Sequence, residues 1–357
     1  MNVREQIKTL IEQTSILETE SKKKEIILLT NTRGKTTNIG NLEIQFAEET
    51  EFFKEEEYDE ILEGLKLEGY YINSYFNEII FINDIINNKL KPEEIVVYNL
   101  ARNGNREGKK SLIPSFCDLL HIPYTGSNAF VMSLCRNKYA FSHILKSHKI
   151  PVPNSWLYLG DGLWADGEPK EGTKIIVKPA FESASIGLSL KNVFTYLAEK
   201  ITLIDDLYKQ NDSKPIIIQE FISGYECEIP FFRYNEVPVI LDPVGISING
   251  NEHLDEQILT QELSDNDNYQ FYNMSKILPR DKILQIKENC KCIALILGIT
   301  NYGRIDCRID NNGNFYITDI ATTPFTTKHS SMAYIFEKNN IPFSKIFAII
   351  LSCVQKY

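Results

Sequence analysis

The chain has 357 residues, which is enough for two or three compact domains with their own hydrophobic cores. Hydrophobic residues make up 43% of it and charged residues 24%, and this balance excludes a disordered or fibrous chain. The formal net charge of −10 argues against an extended nucleic-acid surface, which needs clustered excess Lys and Arg. No apolar run reaches the length of a membrane-spanning helix, and the best candidate, residues 346–354, is typical of a buried helix.

The cysteine and histidine patterns exclude the common metal motifs. Seven cysteines include no CxxC pair, and Cys290 and Cys292, which lie close together, are too isolated to form a zinc site. The five histidines are dispersed along the chain. The first 24 residues have no apolar core of the signal-peptide type. We therefore expect buried thiols in a reducing compartment and a cytoplasmic protein.

The first third of the chain alternates helix and strand patterns. Residues 1–24 have the apolar spacing of a surface helix, and strand patterns follow at 25–30, 78–82 and 94–98. The acidic stretch 48–67 between the first two strands has the pattern of an amphipathic helix. Strands alternating with helices through short polar connections predict a parallel sheet covered by helices.

The rest of the chain mixes helices with antiparallel-type strands. A boundary is expected near 122–127. In chain order we then predict a helix at 129–148, a strand at 174–179, a helix ending near 209, strands at 215–220, 226–233 and 237–244, and a helix at 282–297. The expected organisation is an N-terminal helical extension (1–24), an α/β domain (25–127), a central subdomain (128–214) and a C-terminal domain (215–357).

The clearest local pattern is a hairpin made of residues 304–310 and 315–321. The Asn-Gly pair at 312–313 predicts a two-residue turn, because such turns need positive φ at both positions. With that turn, Asp306 faces Asp319 across the ladder. Two further pairs follow from the same register, Arg304 with Ala321 and Arg308 with Ile317.

Two carboxylates that face each other across a ladder need a compensating charge. Their Cβ atoms lie about 5 Å apart, and their repulsion is roughly 3 kcal/mol at an effective dielectric constant near 20. Period-two alternation places Arg304 and Arg308 on the same face as both acids. One interpretation is a buried network in which these arginines neutralise the acids. The other is a Mg²⁺ site beside a phosphate, since Mg²⁺ takes a few carboxylates together with phosphate oxygens.

Other segments also fit a phosphate ligand. Lys178 lies in an apolar strand, where its ammonium needs an anion, and the small-residue loop 182–187 follows at once. The alternative is that Lys178 ends its strand in solvent. Lys138 on the helix at 129–148 is, taken alone, typical of a solvated lysine. The segment 219–226 could bind an adenine edge and ribose hydroxyls, or could be an ordinary strand connection.

Taken together, these segments resemble the ATP-grasp superfamily, and most closely its D-alanine–D-alanine ligase group of carboxylate–amine ligases. The resemblance covers about residues 90–335. It is carried by IPYTGS at 122–127, Asn137-Lys138, IIVKP at 175–179, the hinge at 219–222, the Arg-x-Asp at 304–306, Asp319, Pro324 and Ser330. It implies an α/β fold, α+β in the C-terminal lobes, in which a Rossmann-like N-terminal domain precedes two ATP-grasp lobes.

The resemblance also implies ATP and Mg²⁺ as cofactors and assigns roles to residues. Arg304 would be catalytic, by stabilising charge on the transferring phosphoryl group, and Asp306 and Asp319 would bind the metal. Ser330 would hold the carboxylate of the second substrate, and Arg308 is assigned to substrate binding as a source of positive charge. The implied ATP-binding residues are Lys138, Lys178, Ser183, Ser185, Gln219, Glu220, Phe221, Ile222 and Glu226.

The chain departs from the family pattern mostly where substrates would bind. Ala321 stands where the family has a second metal-binding Asn, and Asp319 shortens the bridging Glu. Phe325 replaces a turn glycine and would narrow the acceptor end. The phosphate loop reads Ser-Ala-Ser at 183–185 instead of Gly-Ser-Ser. Residues 98–104 replace the His-Gly strand end, so the residues that recognise the first D-alanine have no clear counterpart.

These departures shape the predicted function. We expect a ligase that joins an amino acid or similar acid to an amine through an acylphosphate, releases ADP and phosphate, and makes a product other than D-alanyl-D-alanine. The alternatives are D-alanine–D-alanine ligase itself, or a nucleotide-binding protein that has lost ligase chemistry. The expected partners are small-molecule carboxylates and amines, without nucleic acid or membrane, and homodimerisation is left open.

The region 252–267 has an unusual charge. It carries six acidic residues and no Lys or Arg, although the family places an ATP-contacting lysine there. One hypothesis is that this acidic lid favours a cationic or amine-rich substrate. The alternative is a solvated loop whose charges serve solubility.

Overall fold

Three β-sheets organise the molecule. The structure, a computed structural model, describes residues 2–38, 51–104, 106–182 and 185–354. In these residues a three-stranded parallel sheet is followed along the chain by a four-stranded antiparallel sheet and a six-stranded antiparallel sheet. The predicted class, α/β at the N-terminus and α+β afterwards, is therefore what the structure has.

The N-terminal unit is a parallel sheet with helices on both faces. Its elements are α1 (Val3–Ser21), β1 (Glu25–Thr30), α2 (Glu55–Leu67), β2 (Ile72–Tyr75), α3 (Glu78–Ile86), β3 (Ile95–Leu100) and α4 (Leu112–Leu120). The strands pair in the order β2-β1-β3. Alternate residues of β1 enter different cores: Ile26 and Leu28 pack on one face, Ile27 and Leu29 on the other. This is the burial pattern expected of a covered parallel sheet.

The prediction of a strand at 78–82 is wrong, because these residues begin α3. The side chain of Asn77 accepts a hydrogen bond from the backbone N–H of Ile79 (2.9 Å) and so caps a helix. Phe81 and Ile85, four residues apart, form its buried face. The second strand is instead β2, whose residues are all only half-buried. A short apolar run is ambiguous between strand and helix, and here the cap decides it.

The central unit carries the four-stranded sheet in the order β4-β7-β5-β6. Its elements are α5 (Ala129–Arg136), α6 (Lys138–Ser147), β4 (Ser155–Tyr158), β5 (Lys174–Pro179), β6 (Val193–Thr195), α7 (Ile201–Gln210) and β7 (Ile216–Glu220). Strand β7, which our domain boundaries assign to the C-terminal domain, pairs with β4 and β5. The helix ending near 209 begins only at Ile201, because β6 precedes it.

The single helix predicted at 129–148 is two helices separated at Asn137. The backbone of Asn137 leaves the helical region (φ −83°, ψ 92°), and its side chain accepts a hydrogen bond from the backbone N–H of Ala140 (2.9 Å). Asn137 is thus the N-cap of α6. As a result Lys138 is the first residue of a helix and lies beside its N-terminal N–H groups.

The C-terminal unit is built on a sheet of order β11-β10-β8-β12-β13, with β9 also paired to β8. Its elements are β8 (Tyr225–Tyr234), β9 (Val237–Ile240), β10 (Val244–Ser247), α8 (Gln261–Asp265), β11 (Gln270–Asn273), α9 (Arg280–Ile296), β12 (Tyr302–Ile309), β13 (Phe315–Ala321), α10 (Ser331–Lys338) and α11 (Lys345–Ser352). The strand predicted at 237–244 is two strands, β9 and β10. Helix α11 is buried and shares a core with α1 and α2.

The hairpin reaches the predicted pairing of acids by a different geometry. Strand residues Ile309 and Phe315 pair, which leaves a longer turn than the expected two residues, and Gly313 has positive φ (76°) whereas Asn312 does not. This shifts the register by one residue, so Arg308 faces Tyr316 rather than Ile317. A β-bulge at Thr318 then shifts it back, and Asp306 faces Asp319 as predicted.

The expectations for membrane-spanning helices and for cysteines, which came from composition, have the following outcome. Among the described residues no helix combines the length and apolarity needed to cross a bilayer. All seven cysteines, which fall within the described ranges, are free thiols. Six are buried as predicted, and Cys292 is exposed.

Gly224 fixes the chain between β7 and β8. Its φ of +134° is a conformation that side chains rarely adopt, and a Cβ there would collide with the backbone carbonyl of Ile309 on β12. The connection between the central and C-terminal sheets therefore lies directly against β12.

We expect Gly224→Ala to lower the free energy of unfolding by about 3 kcal/mol or more, because backbone strain and a backbone collision add. Urea unfolding measures the change. Gly250→Ala is the matched control: Gly250 also has positive φ (78°) but has open space around it, so about 1 kcal/mol is expected. Equal losses in the two variants would contradict the close approach.

Candidate active site

A cavity of about 220 Å³ lies where the three units meet. Residues from all three units line it. They include Arg102, Lys138, Lys178, Phe221, Arg304 and Asp319. Side chains that are up to 217 residues apart in the sequence therefore face one space.

Both predicted phosphate lysines face this cavity. Lys138, nearly buried at the start of α6, has its Nζ 3.4 Å from Asp319 Oδ2 and donates to the backbone carbonyl of Glu182. Lys178 projects from β5. Although its side chain remains partly accessible, burial lowers its pKa to about 8, partly offset by the charge of Asp319, and Lys138 lowers it further. Two ammonium groups near one carboxylate form a site suited to an anion.

The small-residue loop is connected to the acidic segment above it. The backbone N–H of Gly187 donates to Gln261 Oε1 (2.9 Å), and the backbone N–H of Gln261 donates to the carbonyl of Leu188 (3.0 Å). Ser185 lines the cavity with positive φ (57°). Ser183 and Ala184 lie outside the described residues, so the assignment of Ser183 to ATP remains a prediction.

The predicted adenine hinge lies along one wall. Gln219 is almost fully buried, and neither polar atom of its side-chain amide has a hydrogen-bond partner among the described residues. Phe221 donates its backbone N–H to Lys174, and Glu220 accepts a hydrogen bond from Asn154 Nδ2 (2.8 Å). A buried unpaired amide in a cavity wall is costly unless a ligand satisfies it.

Arg308 lies at this same end of the cavity. Its Nη1 is 3.0 Å from Glu226 Oε2, and its Nε donates to the carbonyl of Ile222 (2.6 Å). The guanidinium also stacks over the Phe221 ring at 4.7 Å. Arg308 thus holds the hinge and the predicted ribose residue. These contacts place its charge away from the hairpin acids, where we expected it to replace missing positive charge.

The hairpin acids are paired with cations from two directions. Arg304 binds Asp306 through two hydrogen bonds (Nε to Oδ1 2.7 Å, Nη2 to Oδ2 2.8 Å), while Lys138 approaches Asp319. Burial raises the pKa of Asp306 to about 7; Arg304 opposes this shift, and Glu228 and Asp319 add to it. The buried-network interpretation therefore holds for Arg304 but not for Arg308.

The donor set also fits the metal that the resemblance implies. Among the described residues no three His, Cys, Asp or Glu side chains converge into a ready-made metal cluster. Asp306 and Asp319 nevertheless face each other on adjacent strands, and both line the same cavity. Two carboxylates completed by phosphate oxygens are an ordinary Mg²⁺ environment.

Phe325 and Ser330, which follow β13, also line the cavity. Phe325 makes an edge contact with Phe53 of the N-terminal unit, with ring centroids 4.8 Å apart. Ser330 lines the cavity, but its hydroxyl donates to the carbonyl of Thr327 (2.7 Å) and accepts from the backbone N–H of Ala333 as the cap of α10. Phe325 thus lines the cavity in contact with the N-terminal unit, and the narrowing of an acceptor end by Phe325 stays a prediction.

The acidic lid is paired with cations of the chain itself. Asp267 Oδ2 lies 3.1 Å from Lys54 Nζ, Asp265 lies 3.7 Å from Arg33, and Glu256 pairs with Lys174. These acids hold the lid against the N-terminal and central units. These three acids are therefore partly neutralised by the chain itself, and selection of a cationic substrate by the remaining acids stays a prediction.

Two residues of the cavity, Glu228 and Arg102, were not predicted from the sequence. Glu228, opposite Asp306 on β8, lies 3.0 Å from Arg304 Nη1 and so positions the predicted catalytic arginine. Glu228 lies two residues after Glu226 on the same strand, and this spacing predicts that both side chains point to the same face. Arg102, beyond the carboxyl end of β3, also lines the cavity. Ligands commonly bind beyond the carboxyl ends of parallel strands, which could have pointed to it.

Comparisons with known proteins agree with this geometry. The family described as "D-ala D-ala ligase C-terminus" matches residues 161–352. D-alanine–D-alanine ligases of Aromatoleum aromaticum and Nitrosomonas eutropha are 25% and 27% identical over 69% and 71% of this chain and 75% and 78% of theirs.

Solved structures share the fold over almost the whole chain. The D-alanine–D-alanine ligase of Bacillus anthracis complexed with ATP has a TM-score of 0.67 at 17% identity, covering 92% of this chain and 97% of that one. The VanG D-Ala:D-Ser ligase of Enterococcus faecalis has a TM-score of 0.65 at 15% identity, covering 93% and 99%. The predicted fold and resemblance are thereby confirmed. The chain belongs to the D-Ala–D-Ala ligase family of ATP-grasp enzymes, which are ATP-dependent ligases that form C–N bonds.

Proposed function

We propose that this ligase activates a carboxylic acid as an acylphosphate, joins it to an amine, and makes a product other than D-alanyl-D-alanine. The observation that carries the proposal is the facing pair Asp306 and Asp319, each in contact with a cation, inside a cavity whose far wall is the hinge. That is the arrangement needed to hold a metal-bound triphosphate against an acid.

The reaction proceeds in two displacements. An oxygen of the acid attacks the γ-phosphorus of ATP, and ADP leaves. The amine nitrogen then attacks the carbonyl carbon of the acylphosphate, phosphate leaves with the carboxylate oxygen, and the amine proton passes to phosphate or water. Positioning and charge neutralisation do most of the work in such transfers. Bound Mg²⁺ would supply charge neutralisation at Asp306 and Asp319.

The chain's own cations take the remaining roles. Lys138 and Lys178 would bind the phosphates, and Arg304 would stabilise charge on the transferring group and on the tetrahedral carbon. Glu228 keeps Arg304 in position through its 3.0 Å ion pair. Gln219, Glu220, Phe221, Ile222 and Glu226 would hold the nucleoside, with the unpaired amide of Gln219 as a polar contact.

The substrate end supports a product different from that of the relatives. Phe325 reaches Phe53 and narrows the space beside Ser330. Glu51, buried in the N-terminal wall, is surrounded by basic side chains, so its charge is already neutralised by the protein. The ammonium of D-alanine would therefore meet a Glu51 carboxylate that basic side chains of the protein already neutralise.

The first test is trapping of the acylphosphate. With ATP, Mg²⁺ and hydroxylamine as a surrogate amine, the true acid should give a hydroxamate and an equal amount of ADP. D-Alanine should give at least about tenfold less product than the best acid of a panel, which is roughly the effect of one lost polar contact. If D-alanine is the best acid, the proposal that the product differs from D-alanyl-D-alanine is wrong. If no acid releases ADP while ATP binds tightly, the chain has lost ligase chemistry.

A second prediction concerns the metal. Asp306→Asn should reduce Mg²⁺-dependent ADP formation by about 100-fold or more, because one of two carboxylate ligands is lost while the amide can still accept from Arg304. Steady-state ADP release at varied Mg²⁺ concentration measures this. Asp281→Asn, an exposed acid at the start of α9, is the control and should change nothing. Unchanged Mg²⁺ dependence in Asp306→Asn would place the metal elsewhere.

A third prediction follows from the lowered pKa of Lys178, about 8. The protonated form binds phosphate, so bound nucleotide raises this pKa, and affinity should fall as pH rises above about 8, approaching tenfold per pH unit. Titration of a non-hydrolysable ATP analogue between pH 7 and 10 measures it.

Lys178→Arg is the matched control, because its guanidinium stays charged throughout this range. Its affinity should change much less with pH than that of the unaltered chain. Parallel profiles would show that another group, not Lys178, titrates with nucleotide binding.

A further inference from the structure

A group of buried basic side chains lies beside the cavity in its N-terminal wall. We call it the basic chamber and define it by four cations and two acids: Arg102, Lys109, Lys110, Arg136, Glu51 and Glu182. Arg102, Lys110, Arg136 and Glu182 line the cavity itself. No side chain of this group has a role in the proposed nucleotide site, although the backbone carbonyl of Glu182 accepts a hydrogen bond from Lys138.

The two acids are already satisfied by part of this charge. Glu51, 1% exposed, lies 3.1 Å from Lys110 Nζ and 3.2 Å from Arg136 Nη1, and it also pairs with Lys109. Glu182 lies 3.3 Å from Lys109 and 3.4 Å from Arg136. These cations hold the pKa of Glu51 well below its usual value in spite of burial.

The chamber nevertheless keeps an excess of positive charge. Lys109, Lys110 and Arg136 pair with the two carboxylates, and burial lowers the pKa of Lys110 to about 7, whereas Arg102 forms no ion pair with an acid among the described residues. At the hairpin the charges balance, since the three cations Arg304, Lys138 and Lys178 face the three acids Asp306, Asp319 and Glu228. Uncompensated buried charge is expensive, so the excess in the chamber indicates an anionic ligand.

Arg102 shows where that anion would bind. It is 2% exposed, and its guanidinium carbon lies 4.1 Å from the centroid of the Phe53 ring and 4.9 Å from that of the Phe325 ring, so it contacts both rings of this aromatic pair. Its Nε and Nη1 donate to the carbonyls of Leu100 and Glu51. Its Nη2 has no hydrogen-bond partner among the described residues. A planar guanidinium fixed by two rings, with an unused donor at a cavity wall, is suited to a carboxylate.

We propose that the acid substrate is a dicarboxylate, whose second carboxylate binds in the basic chamber at Arg102 and Lys110 while the first is phosphorylated. This inference rests on the proposed function. Glu182 connects the basic chamber to the proposed phosphate site, because its side chain pairs with Arg136 and its backbone carbonyl accepts a hydrogen bond from Lys138. We therefore assign the acid substrate, rather than the amine, to the chamber. The chamber is therefore adjacent to the place where the acylphosphate would form.

The experiment compares matched acids that differ in one charge. Hydroxamate formation is measured with ATP, Mg²⁺ and hydroxylamine for aspartate against asparagine, glutamate against glutamine, and succinate against succinamate, using both enantiomers of the amino acids. Hydroxylamine makes the identity of the natural amine irrelevant. At least one dicarboxylate should exceed its amide in kcat/KM by about tenfold or more, since hydrogen bonds to charged groups are worth that much.

Two variants test whether the chamber is the cause. Lys110→Met removes a cation without changing length greatly, and Arg102→Lys keeps charge but removes the planar fork. Both should lose most of the preference for the dicarboxylate, mainly through KM, and both should bind the ATP analogue as the unaltered chain does. Arg280→Gln, which removes an exposed charge from α9, is the control and should keep the preference.

Thermal unfolding without substrate separates ligand binding from a structural role. Glu51 keeps Lys109 and Arg136 when Lys110 is replaced, so Lys110→Met should leave the melting temperature unchanged or raise it. A lower melting temperature with an unchanged acid preference would show a structural ion network and overturn the proposal. Equal kcat/KM for every acid and its amide would also overturn it while leaving ligase activity intact. Absence of any ADP release would instead contradict the proposed function.

Discussion

Asp306 and Asp319 face each other on neighbouring strands, and much of the cavity compensates the cost of that arrangement. Two carboxylates about 5 Å apart repel each other by roughly 3 kcal/mol at an effective dielectric constant near 20. Arg304 comes from the same strand as Asp306, whereas Lys138 comes from the central unit. The charge of Asp319 is therefore partly balanced by a lysine of another unit, and the proposed nucleotide site lies where the units meet.

The sequence was most informative where two constraints acted on the same few residues. In the hairpin, period-two alternation and an Asn-Gly turn sufficed to place both acids on one face. The turn proved longer than expected, and the bulge at Thr318 compensated for it. The predicted pairing of Asp306 with Asp319 is nevertheless present in the structure, and both acids face the same cavity. Local turn geometry is less constrained than the position of buried charge.

Prediction failed where the deciding contact is distant in sequence. Arg102 receives its importance from Phe53 and Phe325, 49 and 223 residues away, and no local pattern links them. The lid acids were expected to meet solvent or substrate, but Lys54 and Arg33 neutralise two of them. At Asn137 the error had a local origin, because a cap inside an apolar pattern divides one helix into two. Side-chain pairing between units cannot be obtained from periodicity.

Strand β12 connects both ends of the proposed nucleotide site. Arg304 and Asp306 lie at the phosphate end, and Arg308 holds Glu226 and the carbonyl of Ile222 at the nucleoside end. A strand rises about 3.3 Å per residue, so Arg304 and Arg308 are separated by about 13 Å along a rigid element. The distance between the two ends of the proposed site is therefore set by one extended backbone segment, which keeps the phosphate and nucleoside ends in fixed register.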